Sequence, residues 1–400
     1  MSRISDLSEE VIEDILSLLS PEPLMRFKCV SKSWHALIDD QKFVAKQLTN
    51  QIQSSSTNDN KRGSPCILFK HQVVTSCGEN ETVLSFLSYD NKTEAATLAN
   101  CDVSLKSMNL PYKYCGVIGH YNGIVGLIVH AQGFKFYFIL VNPAMREFRL
   151  LPESCIPPPP PLHSPSCYEL EDFNYPKGVG FGYDHKIDDY KVVRIWSYIT
   201  QDFGWEMSVR IEVFTLKTDC WREINTNLIE IPIVHGDFDC ATYFNGFFCW
   251  WVTGIDGESK VILAFNFSDE AFQIIPSPYT FSFWDASTRI LSVLGESLVL
   301  FDFDSPVAVN HVDVWAMDEY CIDGTWSKIL IIGPLEGIER PLVFLKKDEL
   351  LMGDINGQVV LYNIGTKQIS NRLPFYDISK KWSVEIYVKS LLSVNRSSRV

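Results

Sequence analysis

The stretch "VNPAMREF" at residues 141–148 has an apolar side chain at each end and a polar turn between them. The arrangement returns along the chain. Val141, Phe214, Phe265 and Tyr362 are each followed seven residues later by an apolar side chain, namely Phe148, Trp221, Phe272 and Ile369. Trp315 and Trp326 give a fifth copy with a longer turn, "AMDEYCIDGT". Each copy predicts a hairpin in which a strand ends, turns and returns with an aromatic facing inward. Outward from these copies lie short runs rich in β-branched and aromatic residues, such as "GIVGLIV", "YKVVRIW", "ILAFNF" and "QVVLYNI", bounded by Gly, Asn, Asp and Pro. The spacing suits four-stranded blades with loop insertions. Residues 65–394 are therefore expected to form an all-β, kelch-like β-propeller of about six blades, followed by a tail at 395–400. A ring removes exposed sheet edges, and closure is expected to pair "VEIYVKSLLSV" with the strands near "CILFKHQVV". The largest insertion, residues 153–176, contains five consecutive prolines that favour a polyproline II loop.

The first 48 residues have a different texture. Ser8 can cap a first helix with Glu9 and Glu10 at its positive end. Val11, Ile12, Ile15, Leu16 and Leu19 then make a broad apolar stripe. Pro21 is expected to end that helix and Pro23 to sit in the first turn of the next. Ser31 can cap a third helix, on which Trp34, Leu37 and Ile38 share a face. Phe43, Val44 and Leu48 continue it or begin a fourth. So small an all-α module cannot bury all of this surface internally. The remainder marks either a protein interface or a docking face on the rest of the chain. Residues 49–64, "TNQIQSSSTNDNKRGS", are polar and read as a linker.

Composition narrows the function. The apolar share is 46%, the charged share 21% and the formal net charge −14, which argues against nucleic acid and anionic lipid as partners. No run of about 18 uncharged apolar residues predicts a membrane helix, and the acidic start "MSRISDLSEEVIEDILSLL" is a poor secretory signal. The eleven cysteines are scattered without a C-x-x-C pair, as expected of buried thiols in a reducing compartment. The cytoplasm, with the nucleus beside it, is the expected location.

No catalytic constellation emerges. "GVGFGYD" at 178–184 has the glycines of a dinucleotide loop, but a strand follows instead of a helix, so Gly178, Gly180 and Gly182 are expected to relieve crowding in a propeller strand. Asp323 and Gly324 in "CIDGTW" suit a hairpin turn better than a sialidase-type Asp box. Asp184, Asp188 and Asp189 with Lys186 read as a solvated turn. The eight histidines lack metal-ligand spacing, and no G-x-S-x-G elbow occurs. No catalytic residue, metal or cofactor is expected.

The order Leu7, Ile15-Leu16, Pro23-Leu24, Arg26, Cys29-Val30, Lys32-Ser33-Trp34, Leu37-Ile38 and Phe43 resembles the F-box, over residues 4–48. Ser8 stands where that family usually has proline. "HYNGIVGL", "NPAMREFRLLPES", "GVGFGYDHKIDDYKVVRI", "YFNGFFCWW" and "GPLEGIERPLVFLKKDELLM" resemble plant F-box proteins with an F-box-associated domain, and among them the S-locus F-box group of the rose family. The resemblance implies a non-catalytic receptor subunit of an SCF-type ubiquitin ligase. Its partners would be a Skp-type adaptor with a cullin, and a protein substrate, in that group pistil S-ribonucleases. Leu7, Ile15, Leu16, Leu24, Val30, Trp34, Leu37, Ile38 and Phe43 are the expected adaptor contacts, with Trp34 the anchor. A propeller acting on sugars and an F-box scaffold outside any ligase are the alternatives.

Overall fold

The computed structural model describes residues 8–56, 66–74, 80–90, 95–104, 112–131, 135–156, 176–200, 206–228, 241–256, 259–278, 288–303, 311–318, 325–376 and 383–395. Four helices, α1 (Glu9–Ser17), α2 (Pro21–Phe27), α3 (Lys32–Asp39) and α4 (Gln41–Ser56), precede a six-bladed propeller of four-stranded antiparallel sheets.

Blade I joins Cys66–Val74, Asn80–Asp90 and Ala95–Ser104 to Ser383–Tyr387, so the ring is closed by pairing a late strand with the earliest one. Blade II contains Tyr112–Tyr121, Ile124–Ala131, Phe136–Asn142 and Glu147–Leu150; blade III contains Gly178–Asp184, Asp189–Thr200, Glu206–Thr215 and Cys220–Ile224. Blade IV contains Ala241–Phe244, Phe247–Thr253, Lys260–Asn266 and Ala271–Pro276. Blade V contains Thr288–Leu294, Ser297–Phe303, Val312–Met317 and Trp326–Ile332, and blade VI contains Ile338–Lys346, Glu349–Asp354, Gln358–Asn363 and Gln368–Tyr376. The first strand of each of blades II–VI, and the closing strand of blade I, contact one another around the axis.

The seven-residue copies are the hairpins between third and fourth strands. Val141 pairs with Phe148, Phe214 with Trp221, Phe265 with Phe272 and Tyr362 with Ile369. Two residues before each second member the backbone turns left-handed, at Arg146, Asp219, Glu270 and Lys367 (φ 52–57°). Asn142, Asn266 and Asn363 hold these turns through their side-chain oxygens, which accept N–H bonds of 3.2, 2.8 and 2.9 Å from Met145, Ser268 and Thr366. The inward orientation holds only in part: Trp221 and Phe272 are buried, whereas Phe148 and Ile369 are exposed. The fourth strand lies at the rim, so its residue is covered only where something packs over it. Arg194 stacks on Trp221, and the Asn227 side chain brackets the backbone of Phe272. The Trp315–Trp326 copy is displaced, because a bulge in blade V sets Trp315 opposite Lys328 and Met317 opposite Trp326. Residues 157–161 and 321–324, which carry the polyproline and Asp-Gly readings, lie outside the described residues.

The glycines of "GVGFGYD" lie on the innermost strand of blade III. A Cβ on Gly180 would stand 2.6 Å from the Phe248 ring, and one on Gly182 would stand 2.2 Å from Phe267. The missing side chains let the aromatic rings of blade IV approach. The acidic turn beside them is solvated at its tip, where Lys186 and Asp188 are exposed, but not at its base. Asp184 and Asp189 are buried, and the Lys191 ammonium donates to Asp184 (2.5 Å), Glu270 (2.6 Å) and the Phe267 carbonyl (3.0 Å). Burial pushes the Asp184 and Glu270 carboxyls up, but Lys191, with Arg222 beside Glu270 and the Lys186 N–H at Asp184, holds both below the usual carboxylate range. This charge cluster joins blades III and IV. Burial pushes the Cys115 and Cys249 thiols up to about 12, against a lowering by Lys70 at Cys115, so they behave as small core hydrophobes.

Candidate functional site

The site is built by α1–α4. Ser8 caps α1 by accepting the Val11 N–H at 3.4 Å, and Ser31 caps α3 by accepting the Trp34 N–H at 3.2 Å. Pro21 opens α2 at its first position instead of ending α1, which stops at Ser17. The helix expected to give way to a linker at residue 49 runs on to Ser56. Its polar side chains have partners there. Gln47, Asn50 and Gln51 reach back to the carbonyls of Leu19, Ser17 and Leu18, capping the C-terminal end of α1. Lys46 clamps the same helix through Glu13 and Asp14.

The α1 stripe divides in two. Ile12, Leu16 and Leu19 turn inward to a cluster with Leu24, Ile38, Phe43 and Val44. Val11, Ile15 and Leu18, at i, i+4 and i+7, turn outward with 42%, 50% and 66% of their surface exposed. Val30, between α2 and α3, is 62% exposed, and Ile52 on α4 is also exposed.

The expected adaptor contacts therefore fall into groups. Leu16, Leu24, Ile38 and Phe43 are sealed in the module's core; they shape the outer face and offer no surface of their own. Ile15 and Val30 are exposed. Trp34 and Leu37 are half-buried, Trp34 with its ring edge-on to Phe27 at 5.5 Å, so each packs inward and presents a remainder outward. Leu7 lies outside the described residues. Val11 and Leu18 join this outward set although the motif order does not single them out. The i, i+4, i+7 spacing from Val11 was the signal that points to them.

The module also docks on its own ring. Leu391 completes the helical cluster, with Met145 and Leu392 packed against it, and Lys389 pairs with Glu22 on α2. Of the two fates considered for the apolar surface, docking on the rest of the chain is realised on one face, while Val11, Ile15, Leu18 and Val30 stay uncovered on another.

A small helical module with an uncovered apolar stripe, seated on a six-bladed ring, is the architecture of an F-box protein. Residues 77–394 match the F-box associated beta propeller domain and residues 4–46 the F-box domain; the chain belongs to the F-box-associated β-propeller family. It is similar to the F-box protein CPR1 of Arabidopsis thaliana, 25% identical over 96% of this chain and 88% of that one. It is similar also to the F-box/kelch-repeat protein At3g23880 of the same plant, 25% identical over 98% of this chain and 96% of that one. F-box proteins are typically non-catalytic adaptors, and the domain implies a Skp-type adaptor and a protein substrate. Among the described residues no helix is long and apolar enough to cross a membrane.

Proposed function

We propose that this protein is the substrate-recognition subunit of an SCF-type ubiquitin ligase acting in the cytoplasm or nucleus. Its F-box binds a Skp-type adaptor joined to a cullin, and its propeller binds the protein to be ubiquitinated. The observation that carries the reading is the outward stripe of Val11, Ile15 and Leu18 with Val30 beyond it. A water-exposed row of this kind gains roughly 25 cal/mol for each Å² of apolar surface a partner covers. Trp34 and Leu37, half-buried at the edge of the module, supply the aromatic and aliphatic anchors.

The receptor makes and breaks no bond. It holds the target beside the ligase, raising the effective concentration of target lysines near the activated ubiquitin. The target class we favour is a basic secreted ribonuclease of the pistil S-ribonuclease type. Support comes from the S-locus-like motifs and from the net charge of −14, which would steer encounter with a cationic protein in a salt-dependent way. Affinity purification from source tissue under proteasome inhibition, followed by mass spectrometry, tests both halves. Recovery of a Skp-type adaptor and cullin together with a basic ribonuclease is expected. Recovery of the chain without an adaptor would refute the ligase reading, and adaptor with other targets would refute only the ribonuclease.

A further inference from the structure

We infer that residues 388–394 act as a latch that fixes the angle between the F-box and the propeller, with Lys389 and Leu391 as its positioning residues. The consequence for ubiquitin transfer rests on the receptor reading above; the latch itself does not.

The segment leaves blade I after Tyr387 and crosses the turns of blade II. The Tyr387 hydroxyl donates to the Gly123 carbonyl at 2.8 Å, and the Ser390 hydroxyl donates to the Asn122 carbonyl at 2.7 Å. Asn142, the residue that holds the outer turn of the same blade, donates its amide to the carbonyls of Ser390 (3.0 Å) and Leu392 (2.7 Å). Glu147 accepts from the Ser393 hydroxyl (2.6 Å) and the Val394 N–H (3.2 Å). Gly123, at φ +83°, leaves the space: a Cβ there would lie 2.3 Å from Ser390 Oγ. A segment held at this many points is a rigid part of the ring.

Its other side holds the helices. Leu391, 3% exposed, lies in the cluster of Leu16, Leu24, Ile38, Phe43 and Val44. The Lys389 ammonium stands over the Phe86 ring at 5.3 Å and pairs with Glu22. Burial raises the Glu22 carboxyl, but Lys389 outweighs it and holds it below the usual range. One short segment thus bonds blade I, blade II and α2. The strand that closes the ring, Ser383–Tyr387, thus runs directly into the residues that seat the F-box. A target on the propeller is then presented to the ligase at one orientation instead of swinging on a tether, which restricts the geometry in which its lysines meet ubiquitin.

Hydrogen exchange of the full chain, alone and with a Skp-type adaptor, tests this. Leu391→Asp should speed exchange of the α2 amides at least tenfold, leave blades IV–VI unchanged and enlarge the radius of gyration in solution scattering, while adaptor binding persists. Glu22→Lys and Lys389→Glu should each speed α2 exchange severalfold, and the double charge swap should restore it. A change confined to packing would not be rescued by exchanging the charges. Unchanged α2 exchange in Leu391→Asp overturns the latch, as does a charge swap no slower than the single variants should Leu391→Asp open the ring itself. If wild-type chain binds no adaptor, the receptor reading fails and the exchange data still decide the latch.

Discussion

The propeller and the F-box treat apolar surface in opposite ways. In the ring, residues such as Phe181, Phe214, Phe265 and Phe301 are fully buried, each blade lending its face to the next until the strand Ser383–Tyr387 completes blade I and closes the circle. In the helical module, Leu24 and Ile38 are as deeply buried, yet Val11, Ile15, Leu18 and Val30 remain in water. Closure explains the difference: a ring has a neighbour for every face, whereas four helices have a core on one side only. The uncovered surface is the face we propose for the adaptor.

The contrast can be broken from the ring side first. Gly182→Leu would drive a side chain into Phe267 and Tyr243 and should destabilise the propeller by about 3 kcal/mol, seen as a fall in melting temperature or loss of soluble protein. Leu24→Ala, in the module's core, should cost about 3 kcal/mol as well, with the loss appearing in the helical signal. Ile15→Asp combined with Leu18→Asp should leave melting unchanged and weaken adaptor binding more than tenfold by titration calorimetry. Trp34→Ala with Leu37→Ala should abolish adaptor co-purification while the β-rich domain stays folded.

Acid should weaken the seam between blades III and IV. Asp184 and Glu270 are held below their ordinary values by Lys191 and its neighbours. A carboxyl whose folded value is depressed contributes stability above its ordinary value, about 4, and loses it as pH falls through the folded value. Melting temperature followed downward from pH 7 should fall on the acid side, and Asp184→Asn should start lower at neutral pH and fall less steeply. The smallest effect concerns the left-handed turn at Lys367 (φ 57°). Lys367→Val should cost about 1 kcal/mol, and Lys367→Gly should be neutral or slightly stabilising.

The ring was legible because its repeat is a pairing rule. Residues seven apart face each other across a hairpin, and four of the five copies meet in that register. Tyr183 and Tyr190 obey the same rule, with Asp188 left-handed between them, but at the first turn of blade III, where the copies did not suggest looking. The fifth copy slipped because a bulge is invisible in spacing alone. Burial of Phe148 could not be read from its own hairpin, since cover at the rim comes from residues distant in sequence. For the same reason Asp184 looked solvated: its cation partner Lys191 lies nearby, but the third member, Glu270, belongs to another blade. In the F-box the motif named the right neighbourhood and mixed its two faces. Leu16 and Ile15 are adjacent in sequence and differ from 3% to 50% in exposure, because a helix turns about 100° between them. The polar residues after Thr49 read as a linker since the hydrogen-bond partners of Asn50 and Gln51, the carbonyls at the end of α1, lie 32 to 33 positions away.

The most direct test is a hydrogen-exchange footprint of a Skp-type adaptor on the full chain. Slowed exchange in α1 and in the α2–α3 connection around Val30, with the six blades unchanged, is the predicted result. Protection on the blades with none on these helices, or no complex at all, would contradict the account.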